Sequence, residues 1–352
     1  MPRRRSETAP PGSEFAAGIT LPSMRSYFLQ SAGNGAKLES REVPAPEPAP
    51  GQILVEMHAA SLNRGEFIVG HGLLKPGVAK PAGMEGAGEI VKVGASLAGY
   101  AVGQRVMGRC PGAFSEFALM DVHEAIPVPA TLSWTDAAAI PLTFLVVHDM
   151  LVLQGGLAAG EWLLVTGASS GVGVASLQLA KEMGANVIGT SGSADKIERL
   201  KAFGLDVGLV TRRPDFHDQV MKATGGKGVN LVVNTVGGTV FAECVRSMAF
   251  EGRLATVGYV DNTLKAEIDL QALHAKRLTL FGVSNKLRTP EQRASGVPPF
   301  IRDVMPAIEA RRIRPVIDRV YPFEQLAQAR ERMESNQHLG KIVVTMDAEE
   351  AR

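Results

Sequence analysis

The chain has 352 residues, two cysteines, and 37 Lys and Arg against 36 Asp and Glu, for a formal net charge of +1. That balance leaves no electrostatic footprint of a nucleic-acid partner. Cys110 and Cys244 lie too far apart in sequence for a disulfide framework and read as reduced thiols of a cytoplasmic protein. No apolar run approaches the ~20 residues of a membrane span, and the length is ample for two domains.

Arg3, Arg4 and Arg5 open the chain, but the Ser6–Gly18 stretch that follows is proline-rich and has no apolar segment, which argues against a secretion signal. Residues 1–23 are expected to form a disordered tail, with Met24 beginning the patterned chain. Ile53, Val55 and Met57 alternate with Leu54, Glu56 and His58, the period of a half-buried strand. The prolines from Pro44 to Pro50 place an extended edge or loop before it. Glu89–Val93, Gln104–Met107 and Phe114–Leu119, cut by glycines, suit a small irregular β-barrel. Thr135 to Leu153 then reads as a helix.

The stretch from Trp162 to Met183 organises what comes next. A short apolar run, Trp162–Val165, has the character of a strand buried on both faces. A glycine-rich turn through Gly167, Ser170, Gly171, Val172 and Gly173 follows, and a helical pattern sets Val172, Ala175, Leu179 and Met183 on one face. Strand, tight turn and helix start together form a phosphate site, because the first amides of the helix lack partners and its dipole favours an anion. Further runs at Asn186–Thr190, Val207–Val210, Val229–Thr235, Arg253–Val257 and Leu278–Val283 recur at the spacing of βαβ units. The region therefore reads as a doubly wound parallel sheet with a dinucleotide at the carboxyl ends of its strands. Residues 285–300 read as a surface loop, Phe300–Ala310 as a helix kinked by Pro306, and Phe323–Ser335 as another helix. Lys341–Thr345 is expected to be a closing strand that returns to the first domain.

The second strand of the sheet sets the cofactor. An NAD-binding unit usually ends this strand with an acid that bonds the ribose 2′-hydroxyl. Here it ends Thr190, Ser191, Gly192, Ser193, with no acid before Asp195. Lys196 follows within one helical turn, and Arg212 and Arg213 follow the third strand. Hydroxyls, an ammonium and a guanidinium suit a 2′-phosphate, so NADPH is expected. The alternative is that these cations are solvated surface charges, and a strand end shifted toward Asp195 would favour NADH.

Six motifs appear in one order: Ser61-Leu-Asn-Arg-Gly-Glu-Phe67, Gly83-Met-Glu-Gly-Ala-Gly88, Val102-Gly-Gln-Arg-Val-Met107, Pro141-Leu-Thr-Phe144, Val165-Thr-Gly-Ala-Ser-Ser-Gly-Val-Gly173 and His338-Leu-Gly-Lys-Ile-Val343. Together, over roughly residues 24–346, they resemble the medium-chain dehydrogenase/reductase superfamily, in particular its zinc-independent quinone-oxidoreductase branch. The resemblance implies a GroES-like β-barrel domain over 24–148 and 312–346, beside a Rossmann domain over 149–311, with the active site between them. It implies that Asn63 lines the substrate cleft, with an amide able to donate to a carbonyl; the alternative is a turn Asn bonded to its own backbone. It places Thr143, Val236, Gly258, Tyr259, Asn285 and Lys341 around the nicotinamide. For these the local alternatives are a helix-start threonine, a loop Asn and a solvated Lys. It also implies a homodimer paired through the last Rossmann strand.

Zinc-dependent relatives carry a cysteine where this chain has Asn63, and a His-Glu pair where it has Met84-Glu85. With only Glu85 remaining, no metal is expected, and Glu85 reads as a buried, satisfied carboxylate near the cleft. Quinone reductases of the branch often place tyrosines shortly after the cleft Asn; here Phe67, Ile68 and Leu74 stand there, and His71 is the nearest titratable group, either a proton donor or an ordinary loop residue. Short-chain dehydrogenases share a similar glycine turn but need a Tyr-x-x-x-Lys pair. Ser31, Gln104, Thr263 and Gln325 follow the four tyrosines at that spacing, which excludes them. The leading expectation is an NADPH-dependent reductase of a quinone or α,β-unsaturated carbonyl. An alcohol dehydrogenase-type enzyme and a non-catalytic NADPH-binding sensor or structural protein are the alternatives.

Overall fold

The structure is a computed structural model that describes residues 23–32, 35–67, 78–95 and 99–347. The expectations for the N-terminal tail, for Ile68, His71 and Leu74, fall outside those residues, except that Ser23 begins the first strand.

Short apolar segments cut by glycine and proline produce an antiparallel first half. Strand β1 (Ser23–Ala32) pairs with β2 (Gly35–Pro44) in one small sheet. Strand β3 (Gln52–Ser61) is interior to a second, larger sheet, and β4 (Lys80–Pro81) returns to β1. β3 pairs antiparallel with β5 (Glu85–Val93) and with β7 (Phe117–Asp121). β6 (Arg105–Arg109) joins β5 to β8 (Ala125–Pro127). The alternation at residues 53–58 predicts a half-buried strand, but Leu54 is as fully buried as Ile53 and Val55. An interior strand has cover on both faces, and its alternation survives only at exposed Glu56 and half-buried His58.

The single helix expected over residues 135–153 is broken. Helix α1 (Trp134–Ala138) is capped by Ser133, which accepts from the amide of Asp136. Helix α2 (Pro141–His148) starts afresh, because Pro141 has no N–H to continue α1 but suits a first turn. A wider π turn over Asp149–Leu153 ends the segment.

The second half follows the expected period closely. It runs β9 (Trp162–Thr166), α3 (Gly171–Glu182), β10 (Asn186–Ser191), α4 (Ala194–Leu200), β11 (Val207–Val210), α5 (His217–Ala223), β12 (Val229–Asn234), α6 (Phe241–Arg246), β13 (Met248–Thr256), α7 (Leu270–Ala275) and β14 (Thr279–Gly282). The strands form one parallel sheet in the order β11-β10-β9-β12-β13-β14, so β14 is its edge strand. Helix α3 buries a different surface from the one expected: Val174, Ala175, Leu177, Leu179 and Ala180 are buried, whereas Val172 and Met183 are only partly covered. It is flanked by β9 and β10 on one side and by α2 on another, so a single apolar stripe does not describe it.

Residues 285–300 are not a plain loop. Helix α8 (Pro290–Ala294) and helix α9 (Val297–Asp303) lie there, followed by α10 (Met305–Glu309). Thr289 and Gln292 form a reciprocal capping box, with Pro290 in the first turn. The prolines and charges that read as loop signals are helix-start signals. Strand β15 (Ile317–Pro322) runs parallel to β16 (Lys341–Thr345), with α11 (Leu326–Glu334) between them. β16 pairs with β3, Val343 opposite Ser61, so the end of the chain returns to the larger sheet of the first half.

One apolar core joins the halves. Ala59, Ala87 and Met107 of the β3 sheet share a cluster with Phe144 and Val147 of α2, with Leu163 and Val165 of β9 and with Ala175 of α3. The segment before β16 also bonds the glycine turn, Gly340 N donating to Ser169 O at 2.9 Å. This fixes the cleft between the sheets. Among the described residues no helix is long and apolar enough to cross a membrane.

Candidate active site

The cleft is built where β3, β5, α2 and β16 converge. Glu85, first residue of β5, has no solvent exposure. Its Oε1 accepts from Ser61 Oγ at 2.6 Å, Asn63 Nδ2 at 2.8 Å and Lys341 Nζ at 2.9 Å. Its Oε2 accepts from the amide of Leu142 at 2.7 Å. The carboxylate therefore caps α2, whose own N-cap, Ile140, has no side chain able to do so. A buried carboxylate with four donors and a matched ammonium is a satisfied one, as its sequence context implies.

Lys341 and Asn63 are likewise saturated. Lys341 Nζ spends its three protons on Glu85, on Asn63 Oδ1 at 2.8 Å and on Leu62 O at 3.0 Å. The side chain is 7% exposed, which excludes the solvated Lys. Its stem lies against Gly171: a Cβ built there would meet Lys341 Cδ at 2.7 Å. Lys341 thus links the glycine turn to the cleft floor. Asn63 Nδ2 donates to Glu85 and to Glu66 Oε1 at 3.0 Å, so both amide protons are used. Its amide is neither a free donor to a substrate carbonyl nor bonded to its own backbone. It bridges the Glu85 carboxylate and the buried Glu66 carboxyl.

Glu66, on the 3₁₀ turn Arg64–Phe67, is the member of this group that sequence reasoning missed. It is buried, its Oε2 has no partner, and burial pushes its carboxyl up to about 8 against the opposing bond from Asn63. A Glu three residues from a cleft Asn was the available signal. Thr143, third residue of α2, is buried at 3%, yet its hydroxyl bonds no described residue. It is the hydroxyl left available at this end of the cleft.

The glycine turn has the geometry of a phosphate site. Ser170 caps α3, its Oγ accepting from Gly173 N at 3.0 Å. The amides of Gly171 and Val172 stand at the head of a 12-residue helix, where no intrahelical acceptor exists. At the end of β10, Ser191 and Ser193 hold the turn: Ser193 caps α4, accepting from Lys196 N at 3.3 Å, and Ser191 Oγ accepts from Ser193 N at 3.4 Å. Arg212 lies directly on this turn, its Nε 1.9 Å from a Cβ built on Gly192, so a side chain at 192 would displace it from this position. Arg213 pairs instead with Asp215 at 3.0 Å. Asp195 is 78% exposed and faces Arg199 at 3.8 Å, and β10 ends at Ser191 rather than farther on. Lys196 Nζ donates to the carbonyls of Asn336 and His338, at 2.8 and 2.7 Å, which leaves one of its three protons. His338 Nδ1 is buried without a partner, and burial together with Arg64 and Lys196 brings its pKa down to about 4.

Val236, Gly258 and Tyr259 lie together past the ends of β12 and β13. Asp261 N bonds Val236 O at 3.0 Å, and Gly258 packs on Thr235. Asn285 lies past β14, its Oδ1 accepting from Arg288 Nη1 at 3.2 Å, and faces Leu142 and Leu145 of α2 across a small cavity. The structure thus collects the expected residues in three places: Asn63, Thr143 and Lys341 on the cleft floor; Ser170 to Gly173, Ser191, Ser193, Lys196 and Arg212 around the first two strand ends; and Val236, Gly258, Tyr259 and Asn285 at the remaining ends. Cys110 and Cys244 are buried free thiols whose pKa burial raises, so neither is an activated nucleophile.

The donor set does not suit zinc. Asn63 and Met84 are not thiolate or imidazole ligands, Glu85 is fully engaged, and no group of three or more His, Cys, Asp or Glu converges among the described residues.

Comparison with known proteins matches residues 49–130 to the alcohol dehydrogenase GroES-like domain and residues 171–294 to the zinc-binding dehydrogenase family. The quinone oxidoreductase of Rattus norvegicus is 29% identical over 317 residues, covering 88% of this chain and 93% of that protein. The chain is also 30% identical to the spectinabilin polyketide synthase system protein NorB of Streptomyces orinoci over 92% of its own length, but spans only 15% of that much longer relative. Among solved structures, an NAD-dependent alcohol dehydrogenase is 30% identical with a TM-score of 0.79, covering 92% of this chain and 100% of that one. The mycobacterial protein Rv1454c, complexed with NADPH, is 26% identical with a TM-score of 0.81 at the same coverages.

Proposed function

Since the chain belongs to the medium-chain dehydrogenase/reductase superfamily, in its quinone oxidoreductase-like branch, we propose that it is an NADPH-dependent reductase of quinones or α,β-unsaturated carbonyls that works without zinc. The observation that carries this reading is the Glu85 centre. Its four hydrogen bonds and its buried Lys341 fill the place where a metal ligand set would stand. Polarisation of a substrate carbonyl then falls to hydrogen-bond donors.

The nicotinamide supplies the hydride when bound. In this reading Ser170 and the amides of Gly171, Val172 and Gly173 hold the diphosphate. Ser191, Ser193, Lys196 and Arg212 hold the 2′-phosphate, with Asp195 turned away. Val236, Gly258, Tyr259 and Asn285 flank the nicotinamide. Thr143, whose hydroxyl bonds no described residue, donates to the substrate oxygen. Asn63 and Lys341 act as positioning residues that fix Glu85 and, through it, the start of α2 where Thr143 sits.

NADPH and NADH oxidation, followed by absorbance with 1,2-naphthoquinone and with a neutral enone, tests the proposal. NADPH is expected to give a kcat/KM at least about tenfold above NADH, the worth of one charge-assisted contact. A preference for NADH, or oxidation of alcohols without reduction of either acceptor, would overturn it.

A further inference from the structure

Behind α2 lies a small cavity whose charges do not balance. Arg109, Arg288 and Arg293 line it, against Glu124 and Asp149. Arg293 Nε takes Glu124 Oε1 at 2.9 Å, and its Nη1 donates to Arg288 O at 2.8 Å. Arg288 is bonded to Asn285 Oδ1 and to the carbonyl of Gln292. Asp149 accepts from Gln154 Nε2 at 3.0 Å. Arg109 is left over. Its nearest acid is the same Glu124 oxygen at 3.9 Å, beyond hydrogen-bond reach, and its side chain is only 24% exposed. Its guanidinium makes no hydrogen bond with any described residue.

A half-buried guanidinium with unspent donors is costly unless an anion completes it. Desolvation pulls the Arg109 pKa below its ordinary value, and Glu124, already engaged by Arg293, only partly offsets this. The cavity volume is about 30 Å³, room for two water-sized oxygens at about 10–15 Å³ each. Its place in the fold ties it to the cleft. Arg109 is the register partner of Glu85 across β5 and β6, and Leu142, which caps onto Glu85, also lines the cavity.

We propose that Arg109, beside Arg288 and Arg293, anchors a carboxylate of the substrate, so that the preferred acceptors are enones that carry a carboxylate close to the reducible bond. This rests on the reductase reading above and names its substrate class. The planar fork of Arg109 suits the two oxygens of a carboxylate. A ligand of this kind supplies the negative charge that Glu124 and Asp149 leave missing.

The test compares 4-oxopent-2-enoate with its methyl ester. In each turnover the carbon–carbon double bond is saturated: one alkene carbon receives the hydride from NADPH, the other receives a proton from solvent, and NADP⁺ is released. Wild-type protein is expected to favour the acid by about 10- to 100-fold in kcat/KM, the range of a charge-assisted hydrogen bond. Arg109→Met should bring the acid-to-ester ratio near one, and Arg109→Lys, which keeps the charge without the fork, should restore part of it. A wild-type ratio at or below one, or a ratio unchanged in Arg109→Met, overturns the proposal. Calorimetry with 4-oxopentanoate and its methyl ester keeps the two readings separable. If no acceptor is reduced but the acid binds more tightly than the ester through Arg109, the reductase reading fails and the anion site stands. Equal binding of acid and ester sinks the anion site whatever the turnover.

Discussion

Two polar clusters flank the start of α2, and they are built on opposite principles. At Glu85 every donor and acceptor is matched: the carboxylate has four donors and Lys341 spends all three protons inside the protein. At Arg109, on the neighbouring strand, a guanidinium is left with no hydrogen bond and three cations face two acids. The first arrangement holds shape, because a saturated network resists any change in its members. The second is incomplete as it stands, and an incomplete charge is where a ligand gains most. Asn63 and Lys341, which match family positions in sequence, are held by partners within this chain, whereas Arg109, outside the six motifs, keeps donors to spare.

The sharpest way to break this contrast is to unbalance the saturated side. Glu85→Gln leaves the Lys341 ammonium buried without its counter-charge, and should cost about 3–5 kcal/mol of stability in urea unfolding. Adding Lys341→Met to it should recover part of that loss, since a buried pair removed whole costs less than one partner removed. A single variant that unfolds within about 0.5 kcal/mol of wild type would contradict the assignment of Glu85 as the keystone of the cleft floor.

A smaller effect lies beside that network, at Glu66, whose Oε1 accepts from Asn63 while its Oε2 has no partner. Burial raises Glu66 from its ordinary 4.5 to about 8, so the native state holds a proton that the unfolded chain releases. The stabilisation is full below about pH 4.5 and is lost as pH rises through about 8. Glu66→Gln removes this titration. The unfolding free energy from urea titrations at pH 5 and pH 8 should therefore fall less in the variant, by a difference on the order of 1–3 kcal/mol. Parallel declines in both proteins would show that Glu66 is charged in the fold.

Much of the second half was legible because its signals are local. A strand of four to six apolar residues, a glycine turn and a helix recur with little need for distant partners, and Val207–Val210 emerges with the bounds that its sequence pattern implies. The absence of an acid at the end of β10 was equally plain, since it concerns consecutive residues. What sequence could not show is contact between remote segments. The partners of Asn63 come from positions 66, 85 and 341, so its amide reads as free until those strands are brought together. The Arg109 cavity draws on β6, α2 and the 285–297 segment, and that last segment reads as a loop in sequence because a Thr-Pro capping signal resembles a turn.

Turnover by metal-stripped protein decides whether this cleft works without a metal. Protein dialysed against a strong chelator, verified free of zinc by elemental analysis, should reduce 1,2-naphthoquinone with NADPH at the rate of untreated protein, and added zinc should not raise it. Activity that disappears with the metal and returns with about one zinc per chain would contradict the account.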